Sequence, residues 1–73
     1  MSHHRHRWSM IDNLNAGDLV WVPSRVKAHS RFARSLITKL PRNFLVTGVE
    51  NNDINILIDG LEWTVKRVDV YPP

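Results

Sequence analysis

The sequence predicts a mainly β fold, a small barrel of about five short strands. The chain has 73 residues, of which 42% are hydrophobic and 23% charged, a composition typical of one folded domain with a small core. Short runs of β-branched and aromatic residues recur between turn residues, as in Leu19–Val22. Closure into a barrel is how such short strands hide their unpaired edges.

The first strand is expected at Leu19–Val22, after the turn residues 15–18, and Pro23 ends it. Its period of two places Val20 and Val22 on one face and Leu19 and Trp21 on the other, and we expect the valines in the core. Before it, residues 1–13 lack a sustained period and are expected to form a flexible N-terminal arm. The barrel domain therefore covers residues 14–73.

A three-stranded meander is predicted over residues 43–50, 54–59 and 61–66. Residues 50–53 close its first hairpin because Asn and Asp tolerate left-handed backbone angles. The dipeptide Asp59 and Gly60 is the strongest tight-turn signal in the chain and closes the second hairpin. Residues 68–71 are expected to add a last short strand, or a helical turn and a strand.

The long connection between the first two strands, residues 24–42, is predicted to contain a short helix. A structureless loop of this length is unusual in a compact domain. Ser30 is a suitable N-cap and Pro41 a suitable stop. Between them, apolar residues recur at helical spacing: Phe32, Leu36, Ile37 and Leu40.

The same connection concentrates the positive charge of the chain. It has no acidic residue, whereas the rest of the sequence has four basic and seven acidic residues. Such an asymmetry favours a polyanionic partner, whose binding to Lys and Arg weakens with salt. The alternative, that these cations only keep a solvated connection soluble, remains open. The six cations are Arg25, Lys27, Arg31, Arg34, Lys39 and Arg42.

Further candidate residues lie on the strands. Trp21, opposite the valines, is expected to be partly exposed and able to stack on a base. Trp63 alternates with apolar residues, which favours a place in the core. Lys66 and Arg67 are adjacent, so at least one meets solvent, where it extends the basic surface or protects a strand end from edge pairing.

The composition argues against several other functions. The chain has no cysteine, which excludes disulfides and thiolate sites and favours an intracellular location, in the cytoplasm, nucleoid or nucleus. It has no apolar run long enough to span a membrane and no glycine-rich phosphate loop. Three histidines, at positions 3, 4 and 6, lack a second cluster of metal ligands. No nucleophile stands at a recognisable spacing from a base, so we expect no catalysis and no cofactor.

The run from Gly17 to Val22, Gly-Asp-Leu-Val-Trp-Val, resembles the Gly-Asp-x-Val-Trp-Val opening of the SH3-like C-terminal domain of retroviral and retrotransposon integrases. Residues 41–46, 57–60 and 63–67 fall in places similar to later motifs of that family, and parts of the pattern are shared with Tudor, chromo-barrel and KOW modules. The resemblance covers residues 15–71. It implies an SH3-like barrel that contacts DNA or RNA through Arg25, Lys27, Lys66 and Arg67.

These observations predict a non-enzymatic nucleic-acid-binding module that contacts phosphates through the basic connection, with DNA favoured over RNA. The alternative is a small protein-interaction or regulatory module, for example a viral one, that binds an acidic surface of a larger protein. The same basic connection suits either partner through electrostatic steering.

Overall fold

The structure is a computed structural model that describes residues 13–73. The arm predicted over residues 1–13 therefore lies outside the described residues, apart from the exposed Asn13. The described part confirms the mainly β prediction, with six strands where about five were expected. The strands are β1 (Leu19–Val22), β2 (Lys27–His29), β3 (Ser35–Ile37), β4 (Arg42–Glu50), β5 (Asp53–Ile58) and β6 (Leu61–Lys66), and a 3-10 turn follows at Arg67–Asp69.

The strands form one open antiparallel sheet in the order β1-β4-β5-β6-β2-β3. The pairs Ile54 with Val65 and Ile56 with Trp63 set the register of β5 against β6. Because directly opposed residues share a face, these pairs direct one apolar face inward. The fully buried side chains of this core are Val20, Val22, Ala28, Val46, Ile54, Ile56, Val65 and Val70.

The two hairpin turns of the meander use left-handed backbone angles. Asp59 has φ 51° and Gly60 has φ 79°, as a two-residue turn between twisted strands requires. Asn51, in the turn between β4 and β5, also has φ 51°. The turn prediction for both places is therefore confirmed.

The end of the chain returns to β1. After the 3-10 turn, Tyr71 forms an isolated bridge with Trp21, and the two residues exchange backbone N–H to carbonyl hydrogen bonds of 2.8 and 2.9 Å. Val70, which lies between the 3-10 turn and Tyr71 in the chain, is fully buried. Of the two expectations for residues 68–71, the helical turn followed by an extended segment is the correct one.

The helix predicted between Ser30 and Pro41 is wrong, because this segment contains the turn of the β2–β3 hairpin and strand β3. The Ser30 hydroxyl accepts hydrogen bonds from the backbone N–H groups of Phe32 (3.2 Å) and Arg34 (3.3 Å), as an N-cap would, but it closes a turn instead. Ala33 then takes φ 59°, which reverses the chain direction. The backbone N–H of Ser30 donates to the Arg34 carbonyl at 2.9 Å and completes the reversal.

Candidate nucleic-acid interface

Thr38 anchors the base of the β2–β3 hairpin to the rest of the domain. Among the residues that the structure describes, Thr38 is the buried polar residue, with 6% of its surface exposed. The hydroxyl donates to the Pro23 carbonyl at 2.7 Å and accepts from the Val26 N–H at 2.9 Å. Its backbone carbonyl accepts from the Arg25 N–H at 2.7 Å. These bonds fix the direction in which the hairpin leaves β1.

All six cations of the predicted basic connection are exposed, five of them on this hairpin and the connections beside it and Arg42 at the start of β4. Four of them lie towards the base of the hairpin, namely Arg25, Lys27, Lys39 and Arg42, and two lie towards its tip, Arg31 and Arg34. Arg42 also sits over the Phe44 ring, with its guanidinium carbon 6.0 Å from the ring centroid. Within the described part of the chain, Arg31 is the one member of the six with an ion pair.

The tip of the hairpin packs near β6 and encloses a small cavity. We call this the tip cavity. Its volume is about 250 Å³, and its lining includes Arg31, Phe32, Arg34, Glu62 and Trp63. Phe32 is 76% exposed, whereas Trp63 is half-buried and packs against the core. Sequence reasoning assigned Trp63 to the core, and the structure gives it a second surface in this cavity.

Glu62 links the tip cavity to the sheet. One of its carboxylate oxygens accepts a hydrogen bond of 2.6 Å from the Thr47 hydroxyl, and the other lies 3.6 Å from a guanidinium nitrogen of Arg31. Exposed ion pairs of this length contribute little to stability, at most about 1 kcal/mol. The Arg31 guanidinium can therefore exchange Glu62 for another anion at small cost.

The remaining predicted site residues are dispersed. Lys66 lies 3.4 Å from the Asp53 carboxylate, and the antiparallel register through His29 and Thr64 brings it level with Lys27 on the outer face. Arg67 is half-buried, and its backbone N–H donates to the Asn52 carbonyl at 2.7 Å.

Trp21, the predicted stacking residue, is half-buried on β1, where its backbone pairs with Asn43 and Tyr71. It does not line the tip cavity. The structure thus places Lys66 level with Lys27 and leaves Trp21 apart on β1.

A larger groove runs beside the base of the hairpin, between β3 and the facing ends of β4 and β5. Its volume is about 610 Å³, and its lining includes Lys39, Leu40, Arg42, Leu45 and Leu57. We call this the base groove. Four leucines line it, of which Leu40, Leu45 and Leu57 are exposed to between 38% and 66% and Leu36 is half-buried. Apolar side chains and cations therefore lie side by side along it.

A third cavity, of about 250 Å³, lies on the outer face where β2 meets β6. Its polar lining includes His29, Glu50, Asn55 and Thr64, and the Thr64 hydroxyl donates to the Asn55 side-chain oxygen at 2.6 Å. Over residues 13–73, no group of three or more His, Cys, Asp or Glu side chains is placed to hold a metal ion. The histidines at positions 3, 4 and 6 lie outside the described residues.

Sequence reasoning missed two residues of the tip cavity. Phe32 was predicted at helical spacing within a short helix, and no site role was predicted for Glu62. The signal for Phe32 was its place between Arg31 and Arg34, in a segment without acids. No local signal pointed to Glu62, because its role depends on the pairing of β6 with β2.

No protein-family model matches this sequence, and no curated protein or solved structure is significantly similar to it. The likeness of residues 15–71 to integrase C-terminal domains therefore stays a prediction. Among the residues that the structure describes, no helix has the length and apolar character needed to cross a bilayer.

Proposed function

We propose that this chain is a non-enzymatic nucleic-acid-binding module whose β2–β3 hairpin contacts the phosphate backbone. One observation carries the proposal: the acid-free segment of residues 24–42 contains the β2–β3 hairpin, and all six of its cations are exposed. On a surface whose charges serve only solubility, basic and acidic residues are usually mixed. Here the acids are excluded from one continuous stretch of the chain, which is the arrangement that a polyanion favours.

The energetics of the hairpin support phosphate contact. Its cations are solvated, so binding does not require desolvating a buried charge. Each cation that neutralises a phosphate releases condensed counterions, which makes association favourable at low salt and weaker as salt rises. Arg31 can contact a phosphate as well once its ion pair with Glu62 breaks. The preference for DNA over RNA rests on the integrase resemblance and stays a prediction.

The proposal is tested by titrating fluorescently labelled 20-nucleotide single- and double-stranded DNA and RNA with the full chain. Measurements at 50 and 200 mM salt give the dependence of affinity on ionic strength. Exchanging Arg34→Gln and Lys39→Gln together should reduce the slope of log K against log salt by about 1.4 to 1.8, since each phosphate contact contributes about 0.7 to 0.9. Neither residue has an ion pair within the described chain.

The matched control exchanges the same two positions with retention of charge, Arg34→Lys and Lys39→Arg. This control should keep the salt slope of the original chain, because counterion release counts charges. If no nucleic acid binds at 50 mM salt, or if the neutral double variant binds as tightly as the charged control, the hairpin is not a phosphate-contacting element.

Protein interaction is a second candidate function, and the base groove is the observation that favours it. Leu40 is 66% exposed and stands between Lys39 and Arg42 in the lining. Contiguous exposed apolar side chains mark interaction surfaces, and the adjacent cations suit an acidic partner. This function gains support if nucleic acids fail to bind, because the same cations then need another anionic partner.

A further inference from the structure

We propose that the tip cavity binds one unstacked base of a single-stranded nucleic acid, with the base between Phe32 and Trp63. This inference rests on the proposed function and names its ligand class more closely. It depends on three features of the cavity: its two aromatic side chains, its size and its distribution of charge.

The aromatic side chains are placed for stacking. Phe32 projects from the hairpin turn with 76% of its surface exposed, so its ring contributes little to the core. Trp63 lines the same cavity from β6 and is held by the core behind it. An aromatic ring in solvent beside one fixed by packing presents the apolar surfaces on which bases stack, and such stacking accepts any base.

The size of the cavity selects a single ring system. At about 250 Å³ it is smaller than the pockets of roughly 300 to 1,000 Å³ that enclose drug-sized ligands. A base in a duplex has both faces covered by its neighbours and cannot enter without leaving the stack. A single strand offers its bases at much smaller cost, so it is the expected ligand.

The charges around the cavity separate the base from its phosphates. Glu62 lines the cavity with 40% of its side chain exposed, and its carboxylate repels a phosphate but accepts a hydrogen bond from an N–H group on a base edge. Arg31 and Arg34 line the same cavity from the hairpin and can contact the phosphates on either side of the bound nucleotide. The arrangement therefore favours a base within the cavity and phosphates at its rim.

The experiment compares two 12-nucleotide DNA strands with the same number of phosphates, an oligo-dC strand and a strand whose sugars carry no base. The full chain should bind the oligo-dC strand at least about fivefold more tightly, as expected from stacking of one base. Phe32→Ala should remove about 5- to 100-fold of affinity for oligo-dC and leave the affinity for the abasic strand unchanged. Phe32→Tyr, which keeps the ring, should retain the preference for bases.

Leu19→Ala provides the control, because Leu19 is an exposed apolar residue on β1 that lines neither the tip cavity nor the base groove. It should leave the affinity for both strands unchanged. Equal binding of the two strands by the original chain, or an equal loss on both strands with Phe32→Ala, overturns the base site while the phosphate contacts stand. Failure to bind either strand overturns the proposed function as well.

Discussion

Replacement of Thr38 by Val should loosen the base of the basic hairpin. The two side chains have nearly the same shape, so the change removes a hydroxyl without opening a cavity. In the structure, this hydroxyl accepts from the Val26 N–H at 2.9 Å and donates to the Pro23 carbonyl at 2.7 Å. Thr38 and Val26 are both buried, so water cannot readily replace the bond between them, whereas Pro23 is half-buried.

The cost follows from the groups left without a partner. A buried donor or acceptor that loses its hydrogen bond destabilises the folded state by about 1 to 3 kcal/mol. A domain of this size has a free energy of unfolding of about 4 to 11 kcal/mol. A loss of about 2 kcal/mol lowers the Tm by roughly 8 to 16 °C. Thr38→Val is therefore expected to remove a large fraction of the total stability.

Urea unfolding followed by circular dichroism measures this loss, with Thr38→Ser as the control. Serine keeps both hydrogen bonds and loses one methyl group, at a cost of about 1 kcal/mol. Thr38→Val should thus be the more destabilised of the two, although it keeps more apolar surface. If Thr38→Val unfolds within about 0.5 kcal/mol of the original chain, or if Thr38→Ser loses as much, the hydroxyl does not anchor the hairpin.

Four further substitutions test the core and the turns by the same measurement. Val20→Ala should cost about 1 to 3 kcal/mol because Val20 is fully buried, whereas Leu19→Ala, on the exposed face of the same strand, should cost much less. Gly60→Ala should cost about 1 kcal/mol from its φ of 79° alone, since an added methyl group would meet no atom within 4 Å. Ala33→Gly should stabilise the hairpin by up to about 1 kcal/mol because it relieves a φ of 59°. A destabilised Ala33→Gly or an unchanged Gly60→Ala would contradict the turn geometry.

Much of the fold could be predicted because its signals are local. Leu19–Val22 and Leu61–Lys66 have the predicted bounds, since each is a run of strand-forming residues ended by turn chemistry. The pair Asp59 and Gly60 needs no tertiary context to turn the chain. The burial of Val20 and Val22 follows from the period of two once the strand is identified.

The hairpin could not be predicted because helical spacing did not describe its packing. Of the apolar residues at that spacing, Phe32, Ile37 and Leu40 are each more than half exposed, and only Leu36 packs against the core. Ala28 supplies the fully buried position on the other strand, opposite Leu36. The two strands of the hairpin therefore contribute one apolar side chain each to the core, Ala28 and Leu36. A helix would have required a continuous apolar face.

The candidate site likewise contains residues that have a local sequence signal and residues that have none. The cations of residues 24–42 were found from composition alone, because a long acid-free stretch is visible in the sequence. Trp63 and Glu62 reach the tip cavity only through the pairing of β2 with β6, which is set at His29 and Thr64. Long-range register of this kind depends on the whole sheet and has no local signal.

The tip of the hairpin, residues 31–34, is exposed, and its exposure has a consequence for binding. Elements with few buried apolar contacts open at low free energy, so a ligand that orders the tip should stabilise the fold. A single-stranded oligonucleotide at 100 times its Kd should add about 2.7 kcal/mol, enough to restore the Tm lost in Thr38→Val. The basic residues of the unfolded chain can bind phosphates too. If the oligonucleotide bound the unfolded chain as well as the folded one, or better, the Tm would stay unchanged or fall. A rise in Tm with added oligonucleotide therefore requires that the folded hairpin, and not its charge alone, forms the binding site.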